Sequence, residues 1–216
     1  MEKGSQRILI VDDNELNREI LDSMLQKDYS TVEARNGQEA IDILKYEKAS
    51  ITAILLDIVM PKMDGYELLA KTHEMGIENI PIIVMTGDTR TAAEEKALAL
   101  GAWDFVSKPY QMQILLTRLR NAIARSEVSY LKKIRHLAEH DTVTELYNRR
   151  YSFEQIEMLL NNNLNTVFAF IRVDIKRFRM VNAMKGEQGG NQLLRYMAKS
   201  IDQYMIGQSE RTYGHI

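Results

Sequence analysis

Five short apolar runs, each followed by an amphipathic stretch, constrain the fold of this chain more than any other feature. Ile8 to Val11, Ser30 to Ala34, Thr52 to Leu56, Ile82 to Met85 and Trp103 to Val106 read as strands. Between them, apolar residues return at helical spacing. Leu16, Ile20, Leu21, Met24 and Leu25 follow the first run, with Asn14 placed to cap; Ala40, Ile41 and Leu44 follow Asn36-Gly37. Further helices are predicted from Gly65 to Glu74 and from Thr91 to Leu100. Near-continuous apolar strands alternating with helices imply an α/β fold, a doubly wound parallel sheet covered on both faces. Such a sheet binds ligands at the carboxyl ends of its strands.

Composition narrows the class. With 45% hydrophobic and 27% charged residues the chain can bury a core, so it is neither disordered nor fibrous. The absence of cysteine removes disulfide scaffolds, thiol catalysis and cysteine-ligated zinc. No signal peptide is visible, and the apolar stretch from Ile51 to Met60 is interrupted by Asp57 and too short to span a membrane. A cytoplasmic protein with no membrane partner is expected. Net charge is −2, without the basic excess of a dedicated nucleic-acid module. The local run Arg172, Lys176, Arg177 and Arg179 accompanies no helix-turn-helix pattern.

From Gln111 to Glu139 there is neither proline nor glycine, and Leu116, Ile123, Tyr130 and Leu137 recur every seven residues with Leu119 between. One long helix leaving the first domain is predicted, either half of a dimeric coiled coil or docked on its own chain. From Asp141 onward the pattern gives a helix (about Tyr151 to Leu160), a strand (Val167 to Val173) and two helical stretches separated by Lys185 to Gly190. A sheet cannot be built from one strand, so this is a partial α+β segment.

The strand ends carry the chemistry. Asp12 and Asp13 follow the first run, Asp57 the third, Thr86 the fourth, and Lys108-Pro109 the fifth. In a parallel sheet these ends converge, so three carboxylates, a hydroxyl and an ammonium meet in one crevice. Clustered carboxylates raise one another's pKa unless a cation intervenes, and an oxygen-only set favours a hard ion such as Mg²⁺.

Val11-Asp12-Asp13-Asn14, Leu56-Asp57 with Met60-Pro61 and Met63-Asp64-Gly65, Met85-Thr86-Gly87, and Gly101-Ala102 leading to Phe105 and Lys108-Pro109 together resemble a response-regulator receiver domain over residues 5–125. The resemblance implies a flavodoxin-like, CheY-like sheet of strand order 2-1-3-4-5 and a sensor histidine kinase or phosphotransfer protein as partner. Asp57 would be the phosphoacceptor. Asp13, Asp57 and the backbone carbonyl of Val59 would bind Mg²⁺, with Asp12 acting mainly through water. Lys108 and Thr86 would each contact a phosphoryl oxygen, and Phe105 would be the switch aromatic that follows Thr86 inward. The Lys108-Pro109 bond would be cis. Asp64-Gly65 reads as a turn and helix start. Val59 offers no polar side chain to position an attacking water, so slow autodephosphorylation is predicted; the competing reading places that control at Asp88.

A second resemblance covers residues 141–216, after a signalling helix over 111–140. Asp141-Thr142-Val143-Thr144-Glu145-Leu146-Tyr147-Asn148-Arg149-Arg150 is similar to the opening of a diguanylate cyclase (GGDEF) domain, with Val143 and Glu145 as departures. Val173-Asp174-Ile175 with Phe178 and Asn182 resembles that family's metal- and guanine-binding strand end, which makes Asp174 and Asn182 its remnant site residues. Lys176 stands for the second acid and Asn191 for the guanine-reading Asp. The signature corresponds to Arg211-Thr212-Tyr213-Gly214-His215-Ile216, where Tyr213 replaces a glycine and His215 and Ile216 replace acids. The product-inhibition motif would fall on Tyr204 and Gly207 and is absent. His136 and His140 read as solvated positions on a linker helix.

The expected function is a bacterial two-component response regulator, phosphorylated on Asp57 with Mg²⁺. Its output would be homodimerisation, through the receiver face and linker helix, or partner binding. The partial, degenerate GGDEF-like part is expected to lack cyclase activity. The alternative is a fragment of a phosphorylation-gated diguanylate cyclase that makes cyclic di-GMP from GTP.

Overall fold

A computed structural model describes residues 6–87, 91–109, 111–205 and 212–215. The chain divides into two compact units, Met1–Tyr130 and Leu131–Ile216. In the first, β1 (Arg7–Val11), α1 (Glu15–Leu25), β2 (Ser30–Ala34), α2 (Gly37–Glu47), β3 (Ile51–Asp57), α3 (Gly65–Glu74), β4 (Ile82–Thr86), α4 (Thr91–Ala99) and β5 (Asp104–Ser107) alternate, and α5 (Met112–Glu139) follows. All strand pairs are parallel, in the order β2-β1-β3-β4-β5.

Alternation along the strands divides the core between two faces. Leu9, Val11, Ile54, Leu56 and Val84 pack with Ala40, Leu44, Leu68 and Ala97 from α2, α3 and α4. Ile8, Ile10, Leu55, Ile83 and Met85 pack with Leu21, Leu25, Leu115, Leu119 and Ile123 from α1 and α5. The central strands are therefore apolar at nearly every position, and each wholly buried leucine or isoleucine contributes about 1.5–3 kcal/mol by leaving water. Caps fix where the helices begin. The Asn14 side chain accepts from the backbone N–H groups of Leu16 and Asn17, and Asp64 with Glu67 closes a capping box at the start of α3. A cap of this kind is worth about 1 kcal/mol.

In α5, Leu119 and Ile123 are buried and Leu116 packs against the core, whereas Tyr130, Leu131, Ile134 and Leu137 are exposed. No helix among the described residues is long and apolar enough to cross a membrane.

The second unit holds α6 (Arg149–Asn162), capped by Asn148, and α7 (Phe178–Met205). The break expected across Lys185 to Gly190 is confined to Gly186, at φ 70°. The strand expected from Val167 to Val173 does not form. Its β-branched and aromatic residues suit a strand, but a strand needs a neighbour for its N–H and C=O groups, and the described residues supply none. Val167 is 97% exposed as a result.

Candidate functional site

The strand registers bring the predicted chemistry to one edge. Val11 pairs with Leu56, Asp57 with Met85 and Thr86 with Ser107, so β1, β3, β4 and β5 end together. Asp12 follows β1, Asp57 ends β3, Thr86 ends β4 and Lys108 follows β5. One oxygen from each of Asp12, Asp13 and Asp57 lies within 4.8 Å of the others. Asp12 and Asp57 are buried and Asp13 is exposed. Among the described residues this is the one such group of three carboxylate, histidine or cysteine side chains.

Lys108 ties the edge together. Its Nζ stands 2.9 Å from Asp12 Oδ2 and 2.9 Å from Asp57 Oδ2. β5 and β3 are two strand spacings apart, about 10 Å, so a long stem is what lets the ammonium reach across β4. The Lys108 N–H also donates to Thr86 O at 2.6 Å, and the Lys108-Pro109 peptide is cis, as the resemblance implies.

The electrostatics follow from burial. Burial pushes the Asp57 pKa up; the Lys108 hydrogen bond and charge pull against it, and the Asp12 charge adds to the rise. For Lys108, burial disfavours the ammonium, but hydrogen bonds and charge from Asp12 and Asp57 outweigh it and raise the pKa. Lys108 is thus a fixed cation near neutral pH. Three carboxyl groups beside one ammonium make a donor set of oxygen alone, which suits a hard divalent cation.

Two supporting residues, Asn17 and Arg18, escaped the sequence reading, and Gly65, expected only as a helix start, supports the site as well. Asn17 Nδ2 donates to both carboxylate oxygens of Asp12, each at 3.1 Å. Arg18 is buried, and its guanidinium donates to Asp12 O, Asp13 O and Glu33 Oε2. Gly65 opens α3, with its N–H donating to Ile58 O, and a Cβ there would lie 2.6 Å from Asp57 O. Position in the helix offered a signal for the first two. Asn17 and Arg18 lie in the first turns of α1, directly after the carboxylates.

Of the remaining predicted residues, Thr86 is buried. Phe105, half-buried and paired in register with Val84, packs against the core face that holds Leu56 and Val84. Val59 is 74% exposed beside Asp57. Asp88, the alternative control point, lies outside the described residues.

In the second unit, Asp174 is exposed on the unpaired segment, and Asn182 lies in α7 with a buried Oδ1 that lacks a hydrogen-bond partner. Lys176 is exposed. His215 Nδ1 stands 3.0 Å from Asp141 Oδ1, which also accepts from Thr144 N and Thr144 Oγ1. Burial would raise the Asp141 pKa, but the bonds from Thr144 and the His215 contact lower it to about 2. His140 is not a freely solvated linker position: its ring stacks on His136 at 4.1 Å, and its Nδ1 lies 2.6 Å from Glu145 O. A cleft of about 640 Å³ in this unit, lined by His140, Thr144, Arg195, Lys199 and Thr212 among others, includes neither Asp174 nor Asn182. Gly207, Arg211 and Ile216 lie outside the described residues.

Comparison with known proteins gives two family matches: a response regulator receiver domain over residues 8–120 and a diguanylate cyclase GGDEF domain over residues 138–210. "Response regulator MprA" of Mycobacterium bovis is 32% identical over 172 residues, covering 73% of each chain. A "Probable cyclic di-GMP phosphodiesterase" of Vibrio cholerae is 40% identical over 121 residues, 55% of this chain and 27% of that one. For several other curated relatives the match spans about half of their length. Among solved structures, a CheY-like receiver domain from Methanospirillum hungatei superposes with a TM-score of 0.54 at 27% identity, covering 57% of this chain and 98% of that one.

Proposed function

Because the chain belongs to the response regulator receiver family, we propose that it accepts a phosphoryl group on Asp57 from a histidine kinase or phosphotransfer protein. An oxygen of Asp57 attacks phosphorus as the bond to the donor imidazole breaks, and the imidazole recovers a proton from solvent. The observation that carries this reading is the ammonium of Lys108 held 2.9 Å from Asp57 at the carboxyl edge of the sheet.

Asp12, Asp13 and Asp57, with the Val59 carbonyl, are the residues that would hold Mg²⁺, Asp12 mainly through water. The ion supplies neutralisation of the phosphoryl oxygens during transfer. Asn17 and Arg18 hold Asp12 and the loop after β1 in place. Lys108 exchanges its contact with Asp57 for one with a phosphoryl oxygen, and Thr86 donates its hydroxyl to another. Phe105 follows Thr86 inward and alters the surface of α4, β5 and α5.

The output is a change in self-association or partner binding through that surface and through α5, whose exposed Tyr130, Leu131, Ile134 and Leu137 offer an apolar seam. The GGDEF part is a binding surface without cyclase activity. Tyr213 stands where a glycine admits the nucleotide, and His215 pairs with Asp141 in place of an acid that holds metal.

Beryllofluoride with Mg²⁺, followed by light scattering and by change in tryptophan fluorescence, tests this reading. The parent is expected to change in assembly or conformation and Asp57→Ala to change in neither. A parent that changes in neither contradicts it.

A further inference from the structure

Asp12 is wholly buried, and its carboxylate carries four hydrogen bonds among the described residues. Oδ1 accepts from Asn14 N at 2.9 Å and from Asn17 Nδ2 at 3.1 Å; Oδ2 accepts from Asn17 Nδ2 at 3.1 Å and from Lys108 Nζ at 2.9 Å. A carboxylate has about four acceptor positions, so these donors fill it.

The donors are not equivalent. Asn14 N belongs to the backbone and holds one oxygen. Lys108 sits at the end of a long stem and is shared with Asp57 Oδ2, 2.9 Å away. Asn17 reaches both oxygens from a short side chain on α1, and so fixes the plane of the carboxyl group.

We infer that Asn17 is a positioning residue that keeps Asp12 out of direct contact with the metal ion and thereby selects Mg²⁺ over Ca²⁺. The inference rests on the reading of Asp12, Asp13 and Asp57 as a Mg²⁺ site. Mg²⁺ keeps several of its waters and takes roughly one or two carboxylates, whereas Ca²⁺ takes about six to eight oxygens and gains from each further carboxylate. With Asp12 held by its donors, Asp13 and Asp57 are left as direct carboxylate ligands, a set that suits Mg²⁺. Released, Asp12 has an oxygen within 4.8 Å of those of Asp13 and Asp57, close enough to serve as a further ligand.

The loop that carries Asp12 does not depend on the Asn17 side chain. Arg18 is buried and donates to Asp12 O at 2.9 Å and Asp13 O at 3.2 Å, and the Asn14 side chain caps α1. Loss of the Asn17 amide therefore frees the carboxyl group rather than the backbone.

Calorimetric titration of the full chain with Mg²⁺ and, separately, with Ca²⁺ tests the inference in the parent, Asn17→Leu and Asn17→Ala. Leucine fills the space of the amide without a donor, and alanine leaves that space open. The parent is expected to bind Mg²⁺ the more tightly. In each variant the ratio of Ca²⁺ to Mg²⁺ affinity is expected to rise by about tenfold, roughly the worth of one charge-assisted hydrogen bond. A merely structural role would lower both affinities alike. An unchanged ratio in the two variants overturns the inference and leaves the Mg²⁺ site standing, whereas a parent that binds no Mg²⁺ overturns the site and the inference together.

Discussion

Asp57 at the end of β3 and Lys108 just after β5, with β4 between those strands, are held 2.9 Å apart. The contact spans most of the site's width and joins the last strand to the one that carries the proposed phosphoacceptor. It balances part of the cost of burying Asp57, and it places a cation where charge would develop in the proposed phosphoryl transfer.

Removing that cation should separate metal binding from chemistry. Lys108→Met leaves the carboxylates without their ammonium, so Mg²⁺ affinity is expected to rise while phosphorylation by acetyl phosphate slows by about 100-fold. Fluorescence titration with Mg²⁺ and single-turnover phosphorylation read the two effects. Loss of both together would mean that the substitution had disordered the site.

Gly65 is expected to tolerate no side chain. A Cβ would lie 2.6 Å from Asp57 O and 2.8 Å from Ile58 Cα, and both are backbone atoms that cannot rotate away. Gly65→Ala should cost about 1–3 kcal/mol in urea unfolding and slow phosphorylation through displacement of Asp57. Unchanged stability and rate would show that the β3–α3 connection yields freely.

Val59 sets the lifetime of the phosphorylated state in this account. Its exposed apolar side chain cannot hold a water in line, whereas an amide at the same position can. Val59→Asn is therefore expected to shorten the half-life several-fold, followed as phosphate release from the isolated phosphoprotein. An equal or longer half-life would move the control elsewhere.

Asp141 makes the second unit sensitive to acid. Its folded pKa of about 2 lies below the ordinary aspartate value, so its contribution to stability is present above that ordinary value and is lost as pH falls through about 2. Asp141→Asn should destabilise the chain at neutral pH, with the difference from the parent shrinking from about pH 4 downward. A carboxyl ¹³C titration with its midpoint near 4 would contradict the bonds from Thr144 and His215.

Much of the first unit was legible because local and long-range signals agree there. Asn14 caps α1 as it was placed to do, α3 starts at the Asp64-Gly65 read as a helix start, and the three acids at the ends of the apolar runs lie together at the sheet edge. Arg18 was not legible as a buried residue. Its guanidinium is covered because it turns back to the carbonyls of Asp12 and Asp13, a tertiary contact without periodicity. Val167 to Val173 failed for the opposite reason. Its strand propensity is strong, but the paired state depends on a neighbour rather than on the segment itself. His140 reads as a surface helix residue until the turn to Tyr147 brings Glu145 O against its ring.

The account rests on Asp57 as the acceptor, and intact-mass and peptide mass spectrometry after incubation with acetyl phosphate and Mg²⁺ test that most directly. One phosphoryl group is predicted on the peptide that contains Asp57, removed by hydroxylamine and absent from Asp57→Asn. A parent that gains no phosphoryl group, or an Asp57→Asn chain that gains one as readily, would contradict it.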